Sequence, residues 1–236
     1  MANRKLLSFD FFQSFHSNDA FYEKITDETQ LKPEILKHLV LVLLFSIIYG
    51  AIMGSYNSFW QAVSSAIKMP VLILLIVVIC FPAFYVIQTV LGSRLSLGQM
   101  ISIILSGFVF MTCIMVSFST IVLFFMITGS NYNFLKLLHV LIIVVAGFFG
   151  MRAIVEALKY SCEKKSVYPK TGVYVFRIWI FILAFVGAQL SWSLRPFIGA
   201  KDAPFEVVRQ KYGNFYVDVL QSMGSILVPA KKAPEK

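Results

Sequence analysis

Charge is scarce in this chain of 236 residues: 14% are Asp, Glu, Lys or Arg, against roughly 25% in an average soluble domain. Cysteine is scarce too. Cys80 and Cys113 fall inside apolar runs and Cys162 in a basic loop. With no C-x-x-C pair, neither a disulfide framework nor a structural zinc site is expected. His16, His38 and His139 never pair at ligand spacing, so neither a metal nor a cofactor is expected. No G-x-S-x-G and no Walker A sequence occurs. No Asp or Glu lies deep in an apolar run, so an intramembrane acid pair or a carboxylate proton relay is not expected. These absences argue against an enzyme. A lipid-modifying enzyme or protease is a remote reading that would need a polar pocket at bilayer depth.

What the chain does have is apolar residues, 58% of the total, with 23 Phe and a mean hydropathy of +0.77. A soluble domain of this size would leave too much of that surface in water, so the composition reads as a membrane protein. A spanning helix needs about 20 mostly apolar residues, and five stretches supply them: 33–56, 70–91, 97–128, 134–158 and 173–194. The expected fold is all-α, a polytopic bundle of five transmembrane helices with amphipathic interfacial helices. The expected division is an amphipathic N-terminal segment 1–32, a bundle 33–194 and a C-terminal tail 195–236. Pro82 should kink the second span by removing one backbone bond. The turns at 92–96 and 129–133 are short, so the helices they join should be antiparallel neighbours. Residues 1–33 carry Asp10, Asp19, Glu23, Asp27 and Glu28 and lack a continuous apolar core, so a signal peptide is not expected. No internal repeat is visible, which argues against an inverted-repeat transporter.

Three stretches outside the spans have an apolar helical face. They carry Leu7, Phe11, Phe12 and Phe15; Phe59, Val63, Ala66 and Ile67; and Phe215, Tyr216, Val219, Leu220, Met223 and Ile226. Such helices lie in the headgroup layer or pack on a partner.

The formal charge of +9, from 21 basic and 12 acidic residues, reads as a topology signal, and nucleic acid is not an expected partner. With five spans, one side holds Arg4, Lys5, Lys24, Lys32, Lys37, Arg94, Arg152, Lys159, Lys164, Lys165, Lys170 and Arg177. Apart from the tail, the other side holds Lys68 and Lys136. The positive-inside rule then places the N-terminus inside and the C-terminus outside. The basic tail, from Arg195 to Lys236, is the argument against this orientation.

Ser102, Ser106, Cys113, Ser117 and Thr120 follow helical spacing along the third span. Small polar residues let helices approach closely or line a narrow aqueous path. Gly50 and Gly54 form a G-x-x-x-G in the first span, and Gly147 and Gly150 lie in the fourth; all suit close packing. Arg152 and Glu156 are four residues apart on one helical face, either an interfacial ion pair or a gate or lipid-headgroup site. Arg177 can snorkel to the basic surface, and Arg195, beside Trp192, reads as an interfacial anchor. Arg195-Pro196 should end the fifth span. The aromatic residues of Pro204-Phe205-Glu206 and Asn214-Phe215-Tyr216 then return toward the membrane, as a lid or as a docking surface.

Lys68-Met69-Pro70, the charge-free run around Pro82 and then Leu91-Gly92 resemble the start of a Yip-type membrane domain. The layout over about 35–195 is similar, with the closer residue likeness confined to about 68–92. The run from Gln189 through Ser191-Trp192-Ser193-Leu194-Arg195-Pro196-Phe197-Ile198-Gly199, with Gly213-Asn214-Phe215-Tyr216, is similar to a bacterial group of five-span proteins without an assigned activity. The resemblance implies a topology, a bacterial inner membrane as the location, with the N-terminus cytoplasmic and the C-terminus extracytoplasmic, and little mechanism. The vesicle-traffic role of eukaryotic Yip-type proteins, with small GTPases, does not transfer to a bacterial protein, and their acidic N-terminal motif is not evident. The function expected is a non-catalytic integral membrane protein, a scaffold or accessory subunit in complex assembly. Its expected partners are the lipid bilayer and other membrane subunits or a second copy of the chain. A channel or small-solute transporter is the alternative.

Overall fold

The structure, a computed structural model, describes residues 31–129, 131–164, 166–199, 206 and 215–227. Leu7, Phe11, Phe12, Phe15, His16, Pro204, Phe205, Gly213 and Asn214 lie outside the described residues, as do the basic residues beyond 227. Among the described residues there are six helices: α1 (Leu31–Gly54), α2 (Phe59–Val90), α3 (Leu97–Ile127), α4 (Tyr132–Glu163), α5 (Lys170–Leu194) and α6 (Phe215–Leu227). The chain is an all-α polytopic bundle, and α1 to α5 are each long and apolar enough to cross a membrane.

Local chemistry sets the boundaries. Ser58 accepts from the Gln61 backbone N–H at the start of α2. Ser96 and Gln99 form a reciprocal capping box on α3, and the Asn131 side chain caps α4. Gly92 and Gly129, at φ 93° and 82°, make the left-handed turns that reverse the chain after α2 and α3. Arg195 is extended (ψ 154°), as a residue before proline prefers, and α5 ends there.

Two spans are longer than hydropathy alone suggested. α2 and α4 have 32 residues each, about 48 Å at 1.5 Å per residue, against a hydrocarbon core of about 30 Å. The stretch 59–67 is the first two turns of α2 rather than a separate surface helix. Nothing between Phe59 and Pro70 favours a break, and Pro70 and Pro82 are both carried inside the helix.

The α1–α2 and α3–α4 hairpins are antiparallel, and they join along α1 and α3, which run parallel. α5 closes the bundle between α2 and α4, and α6 rests mainly on α4. Here the end bearing the start of α1 is called proximal, and the end bearing the α1–α2 turn distal. Burial of apolar side chains fills the bundle in two clusters. One, including Val42, Phe84, Ile103, Phe108, Ile154 and Phe176, fills the proximal half. The other, including Tyr49, Met69, Met115, Ile142 and Ile198, fills the distal half. Large apolar side chains on the outer surface, such as Leu36, Val78, Val144 and Phe148, meet the lipid bilayer.

Candidate functional site

The polar groups of the distal end converge on one short segment. Gln61, Ser65 and Lys68 occupy one face of the first turns of α2, and all three are buried. The Phe59, Trp60, Val63 and Ile67 side chains point the other way and are exposed. The polar face therefore meets protein and the apolar face points outward, as suits a helix entering lipid.

The buried donors hold the segment that follows α5. Gln61 Nε2 donates to the Pro196 carbonyl at 2.9 Å, and Lys68 Nζ donates to the same oxygen at 3.0 Å. Ser65 Oγ donates to the Phe197 carbonyl. The Lys68 ammonium also lies 6.0 Å from the Phe197 ring centroid. Tyr132 at the start of α4 donates to the Ile198 carbonyl at 3.3 Å. A non-helical backbone stretch at the bundle mouth needs such donors, because its carbonyls have no helical partners.

Close backbone contact makes room for this clasp. A Cβ on Gly50 would collide with the Ser65 carbonyl, and one on Gly54 with the Gln61 carbonyl. The G-x-x-x-G thus faces α2 of the same chain. Gly107 of α3 and Gly150 of α4 meet likewise, each blocking a Cβ on the other. Gly147 has open space around it. Deeper in the distal half, Tyr49 of α1 and Nδ1 of His139 on α4 hydrogen-bond at 2.7 Å across the core.

A second polar group closes the proximal end. Gln88 Nε2 donates to the Gly172 carbonyl at 3.3 Å, and the Tyr168 ring packs on Gly172, where any Cβ would strike it. Arg94 N–H donates to the Val167 carbonyl at 2.8 Å. Burial pushes the Tyr168 phenol well above its ordinary pKa, and Cys162 adds to the shift. Glu34 and His38 are buried one turn apart on α1.

The third-span series does not follow one buried face. Ser102 and Ser106 are 0% and 1% exposed, and Ser106 Oγ donates to the Ile103 carbonyl of its own helix. Cys113 is half-buried, and Ser117 and Thr120 point outward. From Ser102 to Val109 every residue of α3 is buried, so that half is covered on all sides. Further along, burial narrows to the side of Thr112, Met115, Ser119 and Val122 and leaves the side of Ser117 and Thr120 uncovered. Arg152 Nε and Glu156 Oε1 form an exposed ion pair at 2.8 Å. Arg177 is exposed, and Arg195 stacks 3.6 Å from the Trp192 ring centroid. No cluster of three or more His, Cys, Asp or Glu suited to a metal occurs among the described residues.

Sequence reading missed Gln61, Ser65 and Lys68 as a working face. Their i, i+4, i+7 spacing opposite an apolar face was the available signal. Tyr49 and His139 are 90 residues apart, and no local pattern joins them. No family model matches the chain, nor does any curated protein or solved structure.

Proposed function

We propose that this integral membrane protein is a scaffold or accessory subunit of a larger membrane complex, and that α5 is the face it offers to its partner. The observation that carries the reading is how little of α5 its own bundle covers. Only 11% of its most apolar 18-residue window is buried, against 33% in each of the other four spans. Its buried residues, Gly172, Val173 and Phe176, all lie in the first two turns. On the opposite side of the helix Tyr174, Ile178, Phe181 and Phe185 form an exposed stripe, with Phe181 76% exposed. A rigid aromatic stripe gives a second transmembrane helix a large van der Waals contact.

The sealed interior favours this reading over a channel. Ser102 and Ser106 are shut off from water, and Phe84 and Phe176 pack edge to face between α2 and α5 at 5.0 Å. Its short basic proximal loops support a cytoplasmic proximal end, and the likeness to a bacterial group of five-span proteins supports an inner-membrane location. The Yip-like run from Lys68 to Gly92 belongs to α2 and the turn after it, and on this reading contributes topology rather than activity.

A photo-crosslinking residue at Phe181, in the full chain in native membranes, should give one discrete protein adduct, with none from the same residue at Val144. A strictly monomeric protein with no adduct at 174, 178, 181 or 185 would sink the proposal. Solute flux through reconstituted protein, lost in Ser106→Leu, would put the channel in its place.

A further inference from the structure

The orientation of α6 is the reverse of what an aqueous surface demands. Its inward side carries Asp218, bridged to Lys136 of α4 at 2.8 Å, and Ser222, which is buried and donates to the Asp218 carbonyl. Phe215 sets its edge against Trp192 near the end of α5, with centroids 6.3 Å apart. The outward side carries Tyr216, Val217, Leu220 and Met223, all exposed, Leu220 most of all at 66%.

Three observations identify what covers that side. First, the anchors fix its level. Lys136 lies four residues into α4 and Trp192 two residues before the end of α5, so α6 sits where spanning helices leave the hydrocarbon for the headgroups. Second, the same end already presents Phe59, Trp60, Val63 and Ile67 outward from α2, so the face of α6 adds to a lipid-facing surface. Third, the flanking sequence is basic. Arg209 and Lys211 precede the helix, and Lys231, Lys232 and Lys236 follow it, which complements anionic headgroups. We propose that α6 is a lipid-gripping helix, pinned to the bundle by Asp218 and Phe215, whose Tyr216–Leu220–Met223 face inserts into the distal leaflet of an anionic phospholipid bilayer.

Spin-label accessibility tests this on the full chain, with Cys80, Cys113 and Cys162 replaced by Ala, in vesicles of phosphatidylcholine and phosphatidylglycerol at a ratio of about 3:1. Labels go singly at Leu220→Cys, at Val144→Cys as a lipid-facing reference and at Ser55→Cys as a loop reference. The Leu220 label should collide with oxygen in preference to an aqueous nickel chelate, at a ratio several-fold above that at Ser55 and nearer that at Val144. The ratio should fall by about twofold when the anionic lipid is omitted or the salt is raised well above physiological strength. A Leu220 label as open to the chelate as Ser55 would place the face in water, and one shielded from both reagents would place it against protein. Either overturns the proposal, and a ratio indifferent to anionic lipid overturns its headgroup selectivity. Met223→Cys repeats the measurement should Leu220→Cys fail to fold.

Discussion

The four helices α1 to α4 and the fifth are held by different physics. In the first four, backbones meet at Gly50, Gly54, Gly107 and Gly150, and van der Waals contact runs along much of each helix. α5 is held most tightly at its ends, and through its middle only one side, with Trp179, Ile180 and Leu183, packs on the core. Proximally, Gly172, Val173 and Phe176 are packed and Gln88 grips the Gly172 carbonyl. Distally, Gln61, Ser65 and Lys68 hold the carbonyls just beyond it. In lipid no hydrophobic force drives one apolar helix onto another. A helix with few close backbone contacts therefore depends more on polar anchors at the bundle mouths and leaves one side of its middle uncovered.

The contrast can be broken hardest at the glycines. Gly54→Leu or Gly150→Leu drives a side chain into a facing backbone. It should cost about 3 kcal/mol or more, read as loss of the folded fraction in detergent unfolding. A cost within about 0.5 kcal/mol would mean that close contact is not what holds α1 to α4.

The distal anchors come next. The pair Gln61→Leu and Lys68→Met leaves the Pro196 carbonyl without its donors, a loss of about 1–3 kcal/mol. Amide exchange should rise at 197–199 and in the last turns of α5, while α3 keeps its protection. Unchanged exchange at 197–199 would remove the clasp from the account.

Tyr49→Phe deletes the hydrogen bond to His139 and keeps the ring. A loss of about 0.6–1 kcal/mol is expected, in the range of hydrogen bonds between membrane helices.

Ser117→Leu should change stability by less than about 0.5 kcal/mol, since Ser117 points outward. Ser106→Leu forces volume into a sealed core and should cost about 1–3 kcal/mol. Equal costs would restore a single packed stripe along α3.

The exposed pair Arg152 and Glu156 should also matter little. Arg152→Ala should cost about 0.3–0.5 kcal/mol, fading in high salt.

Hydropathy and turn chemistry sufficed for the five spans, their antiparallel succession, the end of α5 at Arg195-Pro196 and the apolar faces of 59–67 and 215–226. These are local properties: a bilayer demands about 20 apolar residues per crossing, and a turn demands particular backbone angles. Which way each amphipathic face points was not legible. Spacing places Gln61, Ser65 and Lys68 on one side of a helix, but only the arrival of Pro196 and Phe197, about 130 residues later, makes that side the inside. The same holds for Ser117 and Thr120. They continue a perfect helical series, yet neighbours surround α3 only over its first half and leave that side of its second half uncovered. Sequence determined that this chain crosses the membrane five times and carries little charge between the interfaces. Tertiary structure alone decided that α5 is the least covered span, that the distal mouth is clasped by α2 and that α6 shows its apolar side outward. Hydrophobic periodicity records that a face is apolar. Whether protein or lipid covers it depends on contacts between distant parts of the chain.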